Sequence, residues 1–294
     1  MSSISQITTA SSIYALLVIK LDIATKIWYK LKVVDKKTIV LIADYGVGDP
    51  AFLEVMLQLR TRIPGVEIYP QSVPPFSTLN TGFWIYQIAM TPNLPNTYIY
   101  ANTAPRKHEK KAQENNRGEV LTYAKLADGF EIVAVNAGYA FSFVKPYIKE
   151  FHVINVQNDG SQFRSRDKFP QGVAGVINKE ANILGDKLDV AMIPDVPENN
   201  IASIDGYGNI KTTTRLSQVA FHSGQKLTIS MNNISHEGVF TDGTFNVQDG
   251  ELAFAPGSSG HDDKCMEIFY RGGNAAKLFN NVTVETSFTL TPLA

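Results

Sequence analysis

The chain has 294 residues, is 44% hydrophobic and 19% charged, and carries a formal net charge of −1. Those values predict a soluble protein of one large or two ordinary domains, with a sizeable core. The near-neutral balance gives no general field for nucleic acid or an anionic membrane. One cysteine, Cys265, excludes an internal disulfide and any multi-cysteine metal site and fits a reducing compartment, so a cytoplasmic location is expected.

In chain order, residues 1–37 read as an extension. Its apolar run Ile13 to Ile19 is interrupted by Lys20 and Asp22, too short for a membrane span and without a secretory signal's basic start or cleavage pattern. Ile13, Leu16, Leu17, Ile23 and Ile27 share one face of an added helix, which would pack on the domain or on a second subunit. From Thr38 to Pro50 the sequence TIVLIADYGVGDP reads strand, acidic turn, helix: a β-rich apolar run ends at Asp44, Gly46 and Gly48 permit a tight turn, Asp49 suits an N-cap and Pro50 the first helical position. Asp44 then stands beyond the carboxyl end of a buried strand, where open α/β sheets bind ligands, with both oxygens available; the competing reading is a turn aspartate satisfying backbone amides.

Helical spacing follows over Ala51 to Ile63 and Thr78 to Met90, with strands at Val66 to Tyr69 and Tyr98 to Ala101 and an extended corner Val73-Pro74-Pro75-Phe76 between them. Arg106 to Glu119 has five basic residues, three Glu and no large apolar residue, and reads as a solvated loop or an exposed helix. Strands are expected at Glu131 to Val135 and His152 to Val156, and helices at Tyr139 to Glu150 and Lys168 to Leu184. After Asp195, turn signals recur about every ten residues, including Asp205-Gly206, Asn232-Asn233, Asp249-Gly250 and Gly272-Gly273, between short alternating runs. The expectation is an α/β domain over 38–195 with a central, mostly parallel sheet, then a smaller all-β, barrel-like domain over 201–294.

The common α/β enzyme fingerprints are absent: no phosphate loop, no dinucleotide glycine motif and no serine elbow. The five histidines include no pair at metal-ligand spacing, so no metal is expected, and His261-Asp262-Asp263 reads as a polar turn.

Five segments in order resemble the S-adenosylmethionine hydroxide adenosyltransferase family, which includes the fluorinase and chlorinase. They are Ala43-Asp44-Tyr45-Gly46, Val73-Pro74-Pro75-Phe76, Phe163-Arg164-Ser165-Arg166-Asp167-Lys168-Phe169, Ile204-Asp205-Gly206-Tyr207-Gly208-Asn209 and Ser258-Ser259-Gly260. The resemblance covers about residues 38 to 285. It implies substitution at C5′ of S-adenosylmethionine by water or a halide, with methionine expelled, at a site shared between the N-terminal domain of one subunit and the C-terminal domain of the next in a homotrimer. S-adenosylmethionine would be a substrate, with no separate cofactor. By position, Asp44 would take the ribose hydroxyls and Phe76 would pack against the sugar, and Phe163 would also contact the substrate. Asp205 and Ser258, with Ser259, would hold the methionine amino and carboxylate groups, while Tyr207 stacks on adenine and Asn209 hydrogen-bonds it.

The departures fall on the nucleophile side. Ala104 stands where the water-using members have an aspartate, Arg164 where they have a histidine, and the position of their arginine falls in the charged loop, near Lys111. Val135-Asn136-Ala137-Gly138 replaces the family's Pro-Asp-Asn-Gly. Ser165 matches the halide-contacting serine of the fluorinase, so Ser165 and Arg164 are the catalytic candidates. The alternative implied by the same departures is a non-catalytic protein that binds S-adenosylmethionine or adenosine.

Overall fold

The computed structural model describes residues 20, 36–46, 48–92, 95–103 and 119–293. The expected N-terminal helix, Ala104, Lys111 and the charged loop apart from Glu119 lie outside them. No helix among the described residues is long and apolar enough to cross a membrane.

The chain forms two seven-stranded sheets and is an α/β protein in two parts. The first sheet holds β1 (Thr38–Ala43), β2 (Glu67–Ser72), β3 (Thr97–Asn102), β4 (Leu121–Leu126), β5 (Glu131–Val135), β6 (Ile148–Ile154) and β7 (Leu184–Lys187), in the order β2-β1-β3-β5-β4-β6-β7. Its helices are α1 (Pro50–Arg62), α2 (Thr78–Ala89), α3 (Arg164–Asp167) and α4 (Phe169–Ile177). In β1, Ile39 and Leu41 point to one face and Ile42 to the other, and both faces are covered. Phe52, Val55 and Leu59 of α1 with Phe169 and Val173 of α4 bury the first; Leu79 and Phe83 of α2, together with Ala202 and Cys265 of the second sheet, bury the second. Each such large side chain removed from water contributes about 1.5–3 kcal/mol before entropy is counted.

The second sheet runs β14-β10-β11-β12-β13-β9-β8, from β8 (Ile201–Ile204), β9 (Ile210–Arg215), β10 (Lys226–Met231), β11 (Ile234–Phe240), β12 (Leu252–Pro256), β13 (Cys265–Tyr270) and β14 (Thr289–Pro292). Asn232 and Asn233 both take positive φ, +50° and +63°, as a two-residue hairpin between β10 and β11 requires. The chain just before β14 returns to the start of β8: Ile201 N–H donates to Thr286 O (2.9 Å), Glu285 N–H to Ile201 O (2.8 Å) and Phe288 N–H to Asn199 O (2.9 Å).

Several expectations are corrected. The first sheet is mixed: β2, β1, β3 and β5 pair in parallel, whereas β4, β6 and β7 join by antiparallel pairings. The second half is not all-β, because the short helix α5 (Ala275–Leu278) lies between β13 and β14. β4 has no counterpart among the expected strands; it pairs with β5 across the Asp128-Gly129 turn. The helix expected over Tyr139 to Glu150 is a run of turns, a 3-10 turn at Lys145–Tyr147 and then β6. Pro146 lacks the amide a helix interior needs, and β4 offers the following residues a strand partner. The helix expected over Lys168 to Leu184 is only α4, preceded by the single turn α3; it ends where Lys179 and Asn182 turn left-handed, at φ +56° and +62°.

α2 is the element both halves share, with nine of its twelve residues buried. Its close packing depends on two glycines. A Cβ at Gly82 would lie 2.3 Å from Tyr139 O, and one at Gly138, whose φ is +47°, would lie 2.3 Å from Thr78 Oγ1. Its N-terminus is closed twice. The N-cap Ser77 Oγ accepts from Asn80 N–H (3.2 Å), and Glu285, from the second half, takes Ser77 Oγ–H (2.8 Å) and Leu79 N–H (3.1 Å) on one carboxylate oxygen. Farther along, Asn80 Nδ2 donates to Ala202 O (2.6 Å), Tyr86 Oη to Gly260 O (3.0 Å), and Gly260 N–H to Gln87 Oε1 (2.9 Å).

Glu285→Ala removes the acceptor for two donors at a helix N-terminus and is expected to cost about 1–2 kcal/mol, whereas Glu285→Gln, which keeps a carbonyl oxygen there, should recover at least half. Urea unfolding of the three proteins checks this; equal midpoints would show that the cap contributes nothing.

Candidate functional site

The sequence-predicted residues gather in two groups, one per sheet. The first lies at the carboxyl ends of β1 and β3. Beyond β1 the chain turns at Gly46, whose carbonyl accepts Asp49 N–H (2.9 Å), and Asp49 Oδ1 caps α1 by taking Ala51 N–H (2.8 Å). Asp44 is thereby left between two turns. One of its oxygens is engaged, contrary to expectation: Oδ2 accepts Phe76 N–H at 3.0 Å. That bond presses the 73–77 corner onto the end of β1, with Val73 N–H donating to Ala43 O (2.9 Å) and Ser72 Oγ to Tyr45 O (3.2 Å). Phe76 has φ +64°, a rare conformation for a bulky residue, and it is 42% exposed beside the carboxylate.

Phe163, Arg164 and Ser165 meet this group from the start of α3. Phe163 packs its ring edge-on to Tyr45 at 6.1 Å, and Tyr45 in turn packs on Phe52 at 4.6 Å. Ser165 is buried, and its carbonyl accepts the Tyr100 hydroxyl at 3.4 Å. Arg164 is strongly engaged. Its Nη1 donates to Glu119 O (2.9 Å) and Asn158 Oδ1 (2.5 Å), its Nη2 lies 3.9 Å from the Glu119 carboxylate, and the guanidinium sits 5.3 Å from the centre of the Phe169 ring. Arg164 therefore clamps the entry of β4 to α4. Below it, Asp167 takes bonds from Arg166 Nε (2.6 Å) and Ser161 Oγ (2.6 Å), and these, Arg166 foremost, hold its carboxyl below the ordinary aspartate value.

The second group is on the second sheet. Asp205 closes the β8–β9 turn by itself: Oδ1 accepts the N–H groups of Tyr207 and Asn209 (both 3.0 Å), and Oδ2 accepts Asn209 Nδ2 (3.0 Å). A carboxylate offers about four lone-pair directions, so an incoming ammonium still finds acceptors there. The turn projects Tyr207, 81% exposed, away from the core. Ser258 is held on a buried ion pair missed in the sequence. Lys211 Nζ lies 2.5 Å from Glu267 Oε1, which also accepts Ser258 N–H (3.1 Å), while Lys211 donates to Ser258 Oγ (3.2 Å). The neighbouring Ser259 is buried, and its hydroxyl makes no hydrogen bond.

Each of these contacts lies within one half. A cleft of about 610 Å³ between the two halves, lined by Tyr86, Phe143, Tyr147, Arg215 and His261, contains none of these residues. Tyr45, Tyr100 and the Lys211–Glu267 pair were not singled out as site residues. Tyr45 and Tyr100 carried only the general signal of aromatic residues at strand ends, and the ion pair joins residues 56 apart in sequence.

No protein-family model and no curated protein matches the chain. Solved structures do. An uncharacterized conserved protein from Thermotoga maritima superposes with a TM-score of 0.66 at 16% identity, covering 86% of this chain and 99% of that one. A conserved hypothetical protein from Thermus thermophilus gives 0.62 at 15% identity with the same coverage. At these identities the likeness is one of fold.

Two measurements check the geometry. Asp205→Ala should leave the fold intact and raise hydrogen exchange at the Tyr207 and Asn209 amides by about tenfold or more, since each loses its acceptor; unchanged exchange would mean that the turn holds without the carboxylate. Asp167 has a depressed pKa, so its contribution is present above the ordinary aspartate value of about 3.9 and is lost as pH falls through the folded-state value. The destabilisation by Asp167→Asn should therefore be full at pH 7 and shrink progressively below about pH 4; a constant difference in Tm from about pH 7 to about pH 2 would refute the assignment.

Proposed function

We propose that this protein binds S-adenosylmethionine and catalyses nucleophilic substitution at C5′, giving adenosine and methionine when water attacks and a 5′-halo-nucleoside when a halide does. The observation that carries the reading is the Asp44–Phe76 pair: a carboxylate beyond the end of a parallel strand, fixed by a backbone N–H, with an exposed aromatic ring beside it. A ribose has the matching chemistry, a vicinal diol to donate to the carboxylate and a weakly polar face for the ring. In this reading Phe163 packs beside the sugar, Tyr207 stacks on adenine and Asn209 hydrogen-bonds it, and Asp205, Ser258 and Ser259 receive the methionine end.

The reaction suits such a site. The nucleophile's electron pair forms the bond to C5′ as the C5′–S bond breaks, and sulfur leaves as a neutral thioether, so no general acid is required. What the protein must do is hold the ribose, strip water from the nucleophile and aim it. The two groups belong to different sheets, which supports a site completed by a second copy in a homotrimer. The hydrogen bonds from residues 285–288 to the start of β8 support the barrel-like closure that goes with this reading.

A second reading, a non-catalytic binder of S-adenosylmethionine or adenosine, draws on Arg164. Its bonds to Glu119 and Asn158 make it a structural clamp rather than a replacement for a water-handling histidine.

Purified protein incubated with S-adenosylmethionine, with and without chloride, bromide or fluoride, should yield one of the two product sets by chromatography; binding by calorimetry without turnover would select the second reading. Asp44→Ala should weaken binding by about 100-fold or more, because hydrogen bonds to a charged group are lost. Unchanged affinity would remove Asp44 from the site. If the site is shared, Asp44→Ala and Tyr207→Ala proteins, each deficient alone, should regain part of the binding when co-assembled.

A further inference from the structure

We propose that the cleft between the two halves is a second binding site and takes a free α-amino acid with an apolar side chain. Its carboxylate meets Arg215, its ammonium meets Asp262, and its side chain lies against Tyr86, Phe143 and Tyr147. This goes beyond the reaction proposed above, in which none of these residues has a part.

The cleft holds about 610 Å³, within the roughly 300–1,000 Å³ typical of small-molecule sites. Tyr86 of α2 anchors its aromatic wall, and its hydroxyl is spent on Gly260 O (3.0 Å), so the ring has a fixed place. The rings of Phe143 and Tyr147 lie 6.2 and 6.3 Å from it, both tilted by 32°. His261 packs edge-on to Tyr86 at 5.4 Å, and its Nε2–H donates to Gln87 O at 3.2 Å, since a carbonyl can only accept. Met90, Pro92, Pro146 and Val196 complete the apolar lining. The walls therefore come from both halves and are held by contacts within the chain.

The charges select the ligand. Arg215 is half-buried, with its guanidinium carbon 4.8 Å from the centre of the Tyr86 ring and 6.0 Å from that of Phe143. Its Nη1 donates to Asp263 O (3.0 Å) and Gly260 O (3.4 Å), both neutral, and among the described residues no carboxylate pairs with it. A half-buried cation held this way favours an incoming carboxylate, which the planar fork can meet with two parallel bonds. Two aspartates line the same cleft. The Asp263 carboxylate is engaged by Ser217, from its N–H at 3.1 Å and its hydroxyl at 2.7 Å, whereas exposed Asp262 accepts no hydrogen bond from a described residue and is left for an ammonium. A phosphate would meet one cation and two carboxylates, and an organic cation would meet Arg215 on the aromatic wall. A zwitterion with an apolar branch matches both charges and the lining.

Calorimetric titration of the full-length protein with L-phenylalanine tests this, and one molecule should bind per chain. Removing one charge from the ligand, as in 3-phenylpropanoate without the ammonium or phenylalaninamide without the carboxylate, should weaken binding about tenfold or more, the loss of a charged hydrogen bond. Asp262→Asn should weaken L-phenylalanine by a similar factor and leave 3-phenylpropanoate unchanged. Because Asp262 is exposed, this variant should melt with the wild type, so its loss of binding is not a loss of fold. Arg215→Lys, which keeps the charge and loses the fork, should also bind about tenfold more weakly. Asp44→Ala should bind L-phenylalanine as the wild type does, which separates this cleft from the proposed ribose site. Absence of heat with L-phenylalanine and L-leucine at about 10 mM, equal affinity for the three phenyl ligands, or loss of binding in Asp44→Ala would each overturn the proposal.

Discussion

The Glu285 carboxylate at the N-terminus of α2 is the contact on which the two halves depend. α2 is buried almost all round, and both its polar end and its buried Asn80 are satisfied from the second half. Separating the halves would break those bonds and expose to water the apolar surface that Ala202 and Cys265 share with α2. The same cap reaches the candidate site. Ser77, which Glu285 holds, directly follows Phe76, so the corner that places Phe76 against Asp44 is anchored from behind by the second sheet.

The chemistry divides along similar lines. Residues proposed to grip the substrate are each fixed by a hydrogen bond within the protein: Asp205 by its own turn, Ser258 by Glu267, and Asp44 by the N–H of Phe76, 32 residues on. At Asp205 the closure is local, so few residues must be ordered to form it and the entropic cost is low. The region around Ser165 is built from distant segments. β3, α3 and the turn after β1 each contribute one side chain there, and Arg164 stabilises the framework from outside by joining β4 to α4.

What the sequence made legible follows the same distinction between local and distant. The β1–α1 unit could be read because its determinants are adjacent: an apolar run, two glycines, and Asp49 and Pro50 at the helix start. Asn232-Asn233 was equally plain, since the turn conformation is a property of those two residues. β4 was not, because Leu121–Leu126 becomes a strand through partners on both sides, β5 and β6. The turns after Gly138 look helical by spacing and are overridden by Pro146 and by packing against α2. At the site, residue types at Asp44, Tyr207 and Ser258 were visible, whereas the partners of Arg164 and of Lys211 exist only once separate segments are brought together.

Among the described non-glycine residues, eleven adopt positive φ, and seven of them are asparagine, the side chain that tolerates this conformation best. The four exceptions are Phe76, Lys179, His261 and Glu285. Glu285 caps α2, and His261 packs edge-on to Tyr86 of the same helix at 5.4 Å. At these two positions an asparagine would relax the backbone and lose the contact, so the strain is the mark of a side chain that the fold requires. Phe76 bears the same mark nearer the surface, where an asparagine would keep the N–H that Asp44 accepts and lose the ring. The left-handed turn thus holds an aromatic ring, 42% exposed, on the residue whose N–H donates to Asp44, in a conformation that an asparagine would adopt with less strain.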